Sequence, residues 1–430
     1  MTNKHRAAVS FIFVTVLLGM LAFGIAEPPL PKLMSDFVGG NTARASEYLG
    51  LFMTTFALMQ FFFSPVLGIL SDRYGRRPVL LLSNFGMAFD YMIMAMAPSL
   101  RWLFLGRILS GLTSSSLPTA TAYISDVTSP EKRSKTFSLL GAAYGVGFIV
   151  GPPIGGWLAL RNPRLPFWVA GAASLLNAAY GLFVLPESLT PERRQPRLAW
   201  KKANPIGALR LLRSHAELLG LASVNFLGYL AYQIYATVWI LYVMYRFGWD
   251  QRMIGMALAV VGVLSVVYSA ALVGPVVARF GERRTLLIGL FFAATGFVLY
   301  GWARSSVTFF AAIAITALWQ LAQPTSQSLM TRRVSASEQG ELQGAIASLR
   351  GIAVIIGPQI FASTFAYFIS HDHHLPGAPW YLAALLLAIS LVIAVLVTGD
   401  KKRLTERVDP GLVPAEAEAR SSEKLDLRSV

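Results

Sequence analysis

Four formal charges stand inside long apolar runs of this chain: Glu27, Asp90, Arg107 and Arg350. A charge in hydrocarbon is costly, so each is expected to face a partner, a water-filled cavity or a moving ion. Asp90 lies about 12 residues into its run, roughly 18 Å from one surface at 1.5 Å per residue. Arg107 enters the next run from the opposite side, to a depth of roughly 10 Å. In a core about 30 Å thick these depths nearly coincide. The short loop between the two runs makes them neighbours, so an Asp90–Arg107 pair is expected. It would be either a static buried salt bridge or the site that takes and releases a driving proton, tuned by the arginine beside it.

Arg350 lies roughly 14 Å deep, close to the midplane. Its planar, permanently charged head suits a carboxylate or phosphate. It would contact an anionic or zwitterionic substrate, or else serve as a structural partner for Glu27 or a backbone carbonyl. Glu27 precedes Pro28-Pro29. It is read either as a proton or cation site or as an interfacial, gate-lining carboxylate. Further polar and aromatic candidates for a substrate cavity are Tyr144, Asn225, Tyr232, Gln233, Tyr235, Trp239, Gln320 and Gln323. Gln320, Gln323 and Gln327 are spaced i, i+3, i+7, so they share one helical face, which should point inward.

The elements that carry these residues follow from composition. Of 430 residues 55% are hydrophobic and 14% charged, against about 25% charged in a soluble domain. The apolar residues come in runs of about 20, the length that crosses a bilayer as a helix. The expected spans are 7–29, 47–70, 78–97, 100–124, 137–159, 165–186, 217–243, 252–277, 284–303, 307–330, 341–369 and 380–398, numbered 1 to 12 below. The first run reads as a retained span rather than a signal peptide, since no small-residue cleavage site follows it. The expected architecture is all-α. Residues 1–186 and 217–398 form two six-helix bundles, 187–216 a linker, and 399–430 a disordered tail.

A net charge of +15 raises nucleic acid as a partner, but the placement of the charge argues against it. One face, with both termini, holds 27 of the 37 Lys and Arg. That asymmetry marks the cytoplasmic side of a cell membrane. Membrane lipids, protons and a small-molecule substrate are the expected partners, and a monomer the expected state. No cysteine is present, no glycine loop follows a strand and no nucleophile constellation occurs. An enzyme, a bound cofactor and a metal are not expected. His371-Asp-His-His374 reads as a solvated loop or a weak surface metal site.

The halves match at a constant offset of 206 residues. Gly68-Ile-Leu-Ser-Asp-Arg-Tyr-Gly-Arg-Arg aligns with Gly274-Pro-Val-Val-Ala-Arg-Phe-Gly-Glu-Arg, Pro118-Thr119 with Pro324-Thr325, and Gly151-Pro152 with Gly357-Pro358. Duplication of a six-helix unit explains this, and such folds bind substrate between halves that rock against each other. In the first segment Gly68 and Gly75 permit a tight turn. Asp72 is placed to face a helix N-terminus of the other half, and Arg73 and Arg76 to pair with acids or lipid, which would make a conformational latch.

The segment 68–78 resembles the signature loop of the major facilitator superfamily. Gly147-Phe-Ile-Val-Gly151-Pro152-Pro-Ile-Gly155-Gly156 is similar to its helix 5 antiporter motif, and Leu105-Gly-Arg-Ile-Leu-Ser-Gly111 to its helix 4 motif. Asp90-Tyr91, Gln233 to Trp239, Arg246 to Trp249 and Leu342-Gln-Gly344 narrow the resemblance to the tetracycline–proton antiporter group. It implies the major facilitator fold and drug efflux driven by proton entry. Asp90 matches that group's helix 3 acid. Its helix 1 acid falls at Gly19, its helix 8 histidine at Ser265 and its helix 9 acid at Ala293. Arg350 has no charged counterpart there. The alternatives are a transporter of a specific organic anion or zwitterion held by Arg350, and a non-transporting receptor or assembly partner.

Overall fold

In a computed structural model of the chain, residues 3–195, 209–212, 216–335, 338–370 and 374–399 are described. Most of the expected linker, all of the expected tail but Gly399 and three of the four residues of His371–His374 lie outside them. Every regular element among the described residues is a helix. Eleven helical stretches are long and apolar enough to cross a membrane. The crossing missing from that set is span 4, which is broken in two: Leu100–Thr113 and Ser116–Val127.

The break has a partner in span 3. The Ser83 hydroxyl donates to the Thr113 carbonyl at 2.6 Å and accepts from the Ser115 amide at 3.1 Å. Backbone groups freed inside a bilayer must be satisfied by protein, and one serine satisfies both. The same place in the second half is also irregular. Span 10 turns 3₁₀ over Ala317–Leu321 between Ser306–Thr316 and Ala322–Thr331. Position 289, the counterpart of Ser83, is a glycine, and a Cβ there would lie 2.8 Å from the Ala322 amide nitrogen. One half fills the break with a hydroxyl; the other closes the backbone onto it.

The two signature turns also repeat in geometry. Gly75 has φ 112° and ψ 162°, and Gly281, 206 residues on, has φ 75° and ψ 164°. Only glycine enters this region without strain, so each span-2-type helix can turn into its successor there.

The halves meet along two seams. Along spans 2 and 11, Ser46 Oγ donates to the Ala362 carbonyl and Thr54 Oγ1 to the Ile355 carbonyl, both at 2.9 Å. Along spans 5 and 8, a Cβ on Gly255 would lie 2.5 Å from the Pro152 carbonyl oxygen. Both seams lie toward the face away from the termini and reach mid-depth at Phe61–Gly351 and Ile149–Gly262. On the termini face a Cβ at Gly68 or Gly274 would meet nothing within 4 Å. The described ion pairs of that face each stay within one half. The space between the halves is therefore shut at the far face and open toward the termini.

Candidate substrate and proton site

Asp90 sits on the helix Arg76–Met96 and is fully buried. Arg107, on Leu100–Thr113, is 8% exposed. The guanidinium Nη2 lies 3.1 Å from Asp90 Oδ2. The carboxylate fits because residue 106 has no side chain: a Cβ there would stand 2.6 Å from Asp90 Oδ1. The other faces of the arginine are apolar. Its guanidinium carbon lies 4.6 Å from the Phe52 ring centre and 5.4 Å from that of Phe56, both on span 2. Neither Asp90 oxygen nor Arg107 Nε has a hydrogen bond of good geometry. Ser110, three residues past Arg107 on the same helix, is the other polar side chain that bears on the carboxylate. A buried ion pair with so few hydrogen bonds gains little net stability.

A second group lies between the halves. Tyr144 on span 5 is 40% exposed and Tyr232 on span 7 is 52% exposed. Both hydroxyls lie within electrostatic reach of Arg350 on span 11 and Glu27 on span 1. Side chains that are surrounded by protein and still expose this much surface line the inter-half space. Arg350 is exposed and makes no ion pair or hydrogen bond among the described residues. Glu27 makes no ion pair either, and its Oε2 is buried without a hydrogen-bond partner. The Tyr232 ring lies 5.5 Å from Tyr235 and 5.8 Å from Trp319, so one wall is aromatic.

Other expected lining residues are placed differently. Trp239 is 1% exposed and packs on Trp249 and Phe309 inside the second half, away from the inter-half space. Asn225 donates to Ser326 Oγ at 3.0 Å and ties span 7 to span 10. Gln233 is 6% exposed and donates to the Tyr229 carbonyl on its own helix. Tyr235 is half-buried against Phe297 and Trp380. Gln323 and Gln327 share a face of Ala322–Thr331, and the 3₁₀ stretch separates Gln320 from that face. Periodicity alone does not reveal such a break.

The signature loop departs from the expected latch. Asp72 bonds Arg76 at 2.5 Å within its own turn rather than facing a helix of the other half, because the halves stand apart at this face. Arg76 also pairs with Asp126 at 3.1 Å. Arg73 lies over the neighbouring Tyr74 ring. The sequence reading missed Glu187. Its carboxylate accepts from the amides of Arg76 at 2.8 Å and Arg77 at 3.2 Å, which caps span 3 from the start of the expected linker. An acid directly after Pro186 was the available signal.

In span 5, Gly147, Gly151 and Gly155 let the helix touch span 1. A Cβ on Gly147 would be 2.6 Å from Met20 Cβ, and one on Gly151 2.7 Å from Gly24 Cα. Pro152, on the next residue, presents its carbonyl to Gly255 across the seam. The motif packs one face within its half and the other against the opposite half, which small residues permit.

A sequence profile of the Major Facilitator Superfamily matches residues 12–358 and 221–423. The class C tetracycline resistance protein of Escherichia coli is 37% identical over 388 residues, 90% of this chain and 96% of that protein. The class G protein of Vibrio anguillarum is 35% identical over 391 residues, 90% and 97% of the two chains. The crystal structure of a bacterial homolog of the human lysosomal transporter Spinster superposes with a TM-score of 0.76 at 15% identity, over 93% of this chain and 98% of that one. The human organic anion transporter MFSD10 superposes with a TM-score of 0.67 at 24% identity, over 91% and 100%. The twelve-crossing fold of two related halves, the signature segments and these full-length relatives agree: the chain is a membrane transporter of the major facilitator superfamily, in the group of the tetracycline resistance proteins.

Proposed function

We propose that the chain exports a small amphiphilic molecule, of the drug or antibiotic type, in exchange for protons entering through Asp90. The reading places it in a bacterial inner membrane, with both termini cytoplasmic and the monomer as the working unit. The observation that carries it is the Asp90–Arg107 pair. An acid fully enclosed by spans 2, 3 and 4, with both oxygens short of hydrogen bonds, can be ionised only while the arginine faces it. A change in helix position that draws Arg107 away leaves protonation as the cheap response. The pair thus links a rocking motion to uptake and release of one proton. The names of the relatives, tetracycline resistance proteins, support efflux of an antibiotic-like substrate. The basic excess on the termini face supports the orientation.

The test is proton flux in liposomes holding a pH-sensitive dye, with a pH gradient imposed and cationic, neutral, zwitterionic and anionic amphiphiles added in turn, tetracycline among them. Wild type is expected to respond to at least one compound, and Asp90→Asn to none while still binding it. A response that persists in Asp90→Asn removes Asp90 from the proton path. A second reading, transport of one specific organic anion or zwitterion, draws on Arg350.

A further inference from the structure

We infer that the inter-half cavity recognises an elongated zwitterion, its anionic end on Arg350 and its cationic end on Glu27. The inference names the substrate class of the transporter proposed above and rests on that reading. Three observations carry it. First, Arg350 and Glu27 are both unpaired among the described residues, and each lies within electrostatic reach of the Tyr144 and Tyr232 hydroxyls. An unpaired arginine at mid-depth of a membrane protein needs an anion, and an unpaired buried carboxylate needs a cation or a proton. One net-neutral molecule with separated charges satisfies both and carries no net charge across the potential.

Second, the two groups stand at different depths. A Cβ on Gly357 would touch Gln233, the repeat counterpart of Glu27, at 2.5 Å from its Cγ. Arg350 is seven residues from Gly357, roughly 10 Å along the helix. The Arg350 backbone therefore lies about that far from the level of Glu27, toward the open face. An α-amino acid, whose two charged groups share one carbon, covers little of such an offset. A flat scaffold with its charges at opposite ends covers more, and the wall of Tyr232 and Trp319 suits it.

Third, the positions form repeat pairs, Glu27 with Gln233 and Tyr144 with Arg350. One member of each pair is charged, with opposite sign in opposite halves, while Gln233 bonds within its own helix. A ligand spanning both charges contacts both halves at once, as a rocking mechanism requires.

The test is equilibrium dialysis of the purified full-length protein with three compounds of one scaffold: ciprofloxacin, with a carboxylate at one end and an amine at the other, its cationic methyl ester and its anionic N-acetyl derivative. Phenylalanine serves as a zwitterion with adjacent charges. Ciprofloxacin is expected to bind at least tenfold more tightly than the other three. Arg350→Gln should abolish the preference over the ester while Arg350→Lys retains it, and Glu27→Gln should abolish the preference over the N-acetyl compound. The wild-type comparison stands even where a variant misfolds. Equal binding of the three scaffold compounds, binding of none, or variants that weaken all three alike would overturn the inference. Proton flux evoked by other amphiphiles without this charge preference would leave the transport reading standing and the inference refuted. Preference without proton flux would do the reverse.

Discussion

Where the first half holds Asp90 and Arg107, the second, 206 residues on, holds Gly296 and Ile313. A Cβ on Gly296 would sit 2.9 Å from Thr316 Cβ, so spans 9 and 10 meet there with no charge between them. The second half is instead aromatic. Tyr300 lies 4.6 Å from Phe309 and 4.7 Å from Trp380 between ring centres, and Phe297 and Tyr242 join the cluster. The first-half counterparts of Tyr300, Phe309 and Trp380 are Met94, Leu103 and Ser174. Two bundles of one ancestry thus reach the same helix arrangement with different interiors. The fold does not require the buried charges, since the second half is built without them at the matching positions.

Other differences preserve geometry while reversing chemistry. Arg76 pairs with Asp126 in the first half, and their counterparts Glu282 and Arg332 pair at 2.9 Å in the second, with the signs exchanged. The attraction is the conserved quantity, since an ion pair is indifferent to which helix carries which charge.

The comparison breaks most sharply at Arg107. Arg107→Leu strands Asp90 in an apolar site and is expected to cost about 3–5 kcal/mol, read as a lower melting temperature in detergent. Asp90→Leu with Arg107→Leu gives the first half the uncharged interior of the second. It should recover most of that stability while transport stays lost. A single variant that melts like wild type would show that the pair is not a closed buried unit.

Next in size is the aromatic side. Trp380→Leu is expected to cost about 2–4 kcal/mol through lost packing, while proton flux per folded molecule is unchanged. Loss of flux at full stability would assign the aromatic half a part in coupling.

The exchanged pair offers a smaller test. Arg76→Glu should cost about 1–3 kcal/mol by opposing Asp126 and Asp72. Adding Asp126→Arg copies the second half's polarity and should restore much of the loss, the difference being the coupling energy of a double-mutant cycle. The least effect is expected at Arg332, whose side chain is 72% exposed. Arg332→Gln should change stability by less than about 1 kcal/mol.

Much of this was legible before any coordinates. Run lengths define the crossings because a bilayer has one thickness. The offset of 206 residues predicts the matching turns at Gly75 and Gly281. The depths of Asp90 and Arg107 predict their meeting, since helix rise converts residue number directly into height. Trp239, Asn225 and Gln233 were less readable: a polar or aromatic residue in a span looks the same in sequence whether it faces a cavity or its own bundle. The break at Ser114-Ser115 is similar, because the serine that satisfies it stands on another helix, at position 83.

The sequence by itself determined what is set by distance along one helix: the crossings, the depth of each charge, the duplication and the asymmetry of basic residues. These depend on 1.5 Å of rise per residue and on the cost of charge in hydrocarbon. Only the tertiary structure decided what depends on rotation about a helix axis and on the spacing of the two halves. It showed that Arg350 and Glu27 come within electrostatic reach of the same tyrosines, that Asp72 bonds within its own turn and that the inter-half space opens toward the termini. Each of these depends on contacts between segments far apart in the chain, and no local periodicity encodes them.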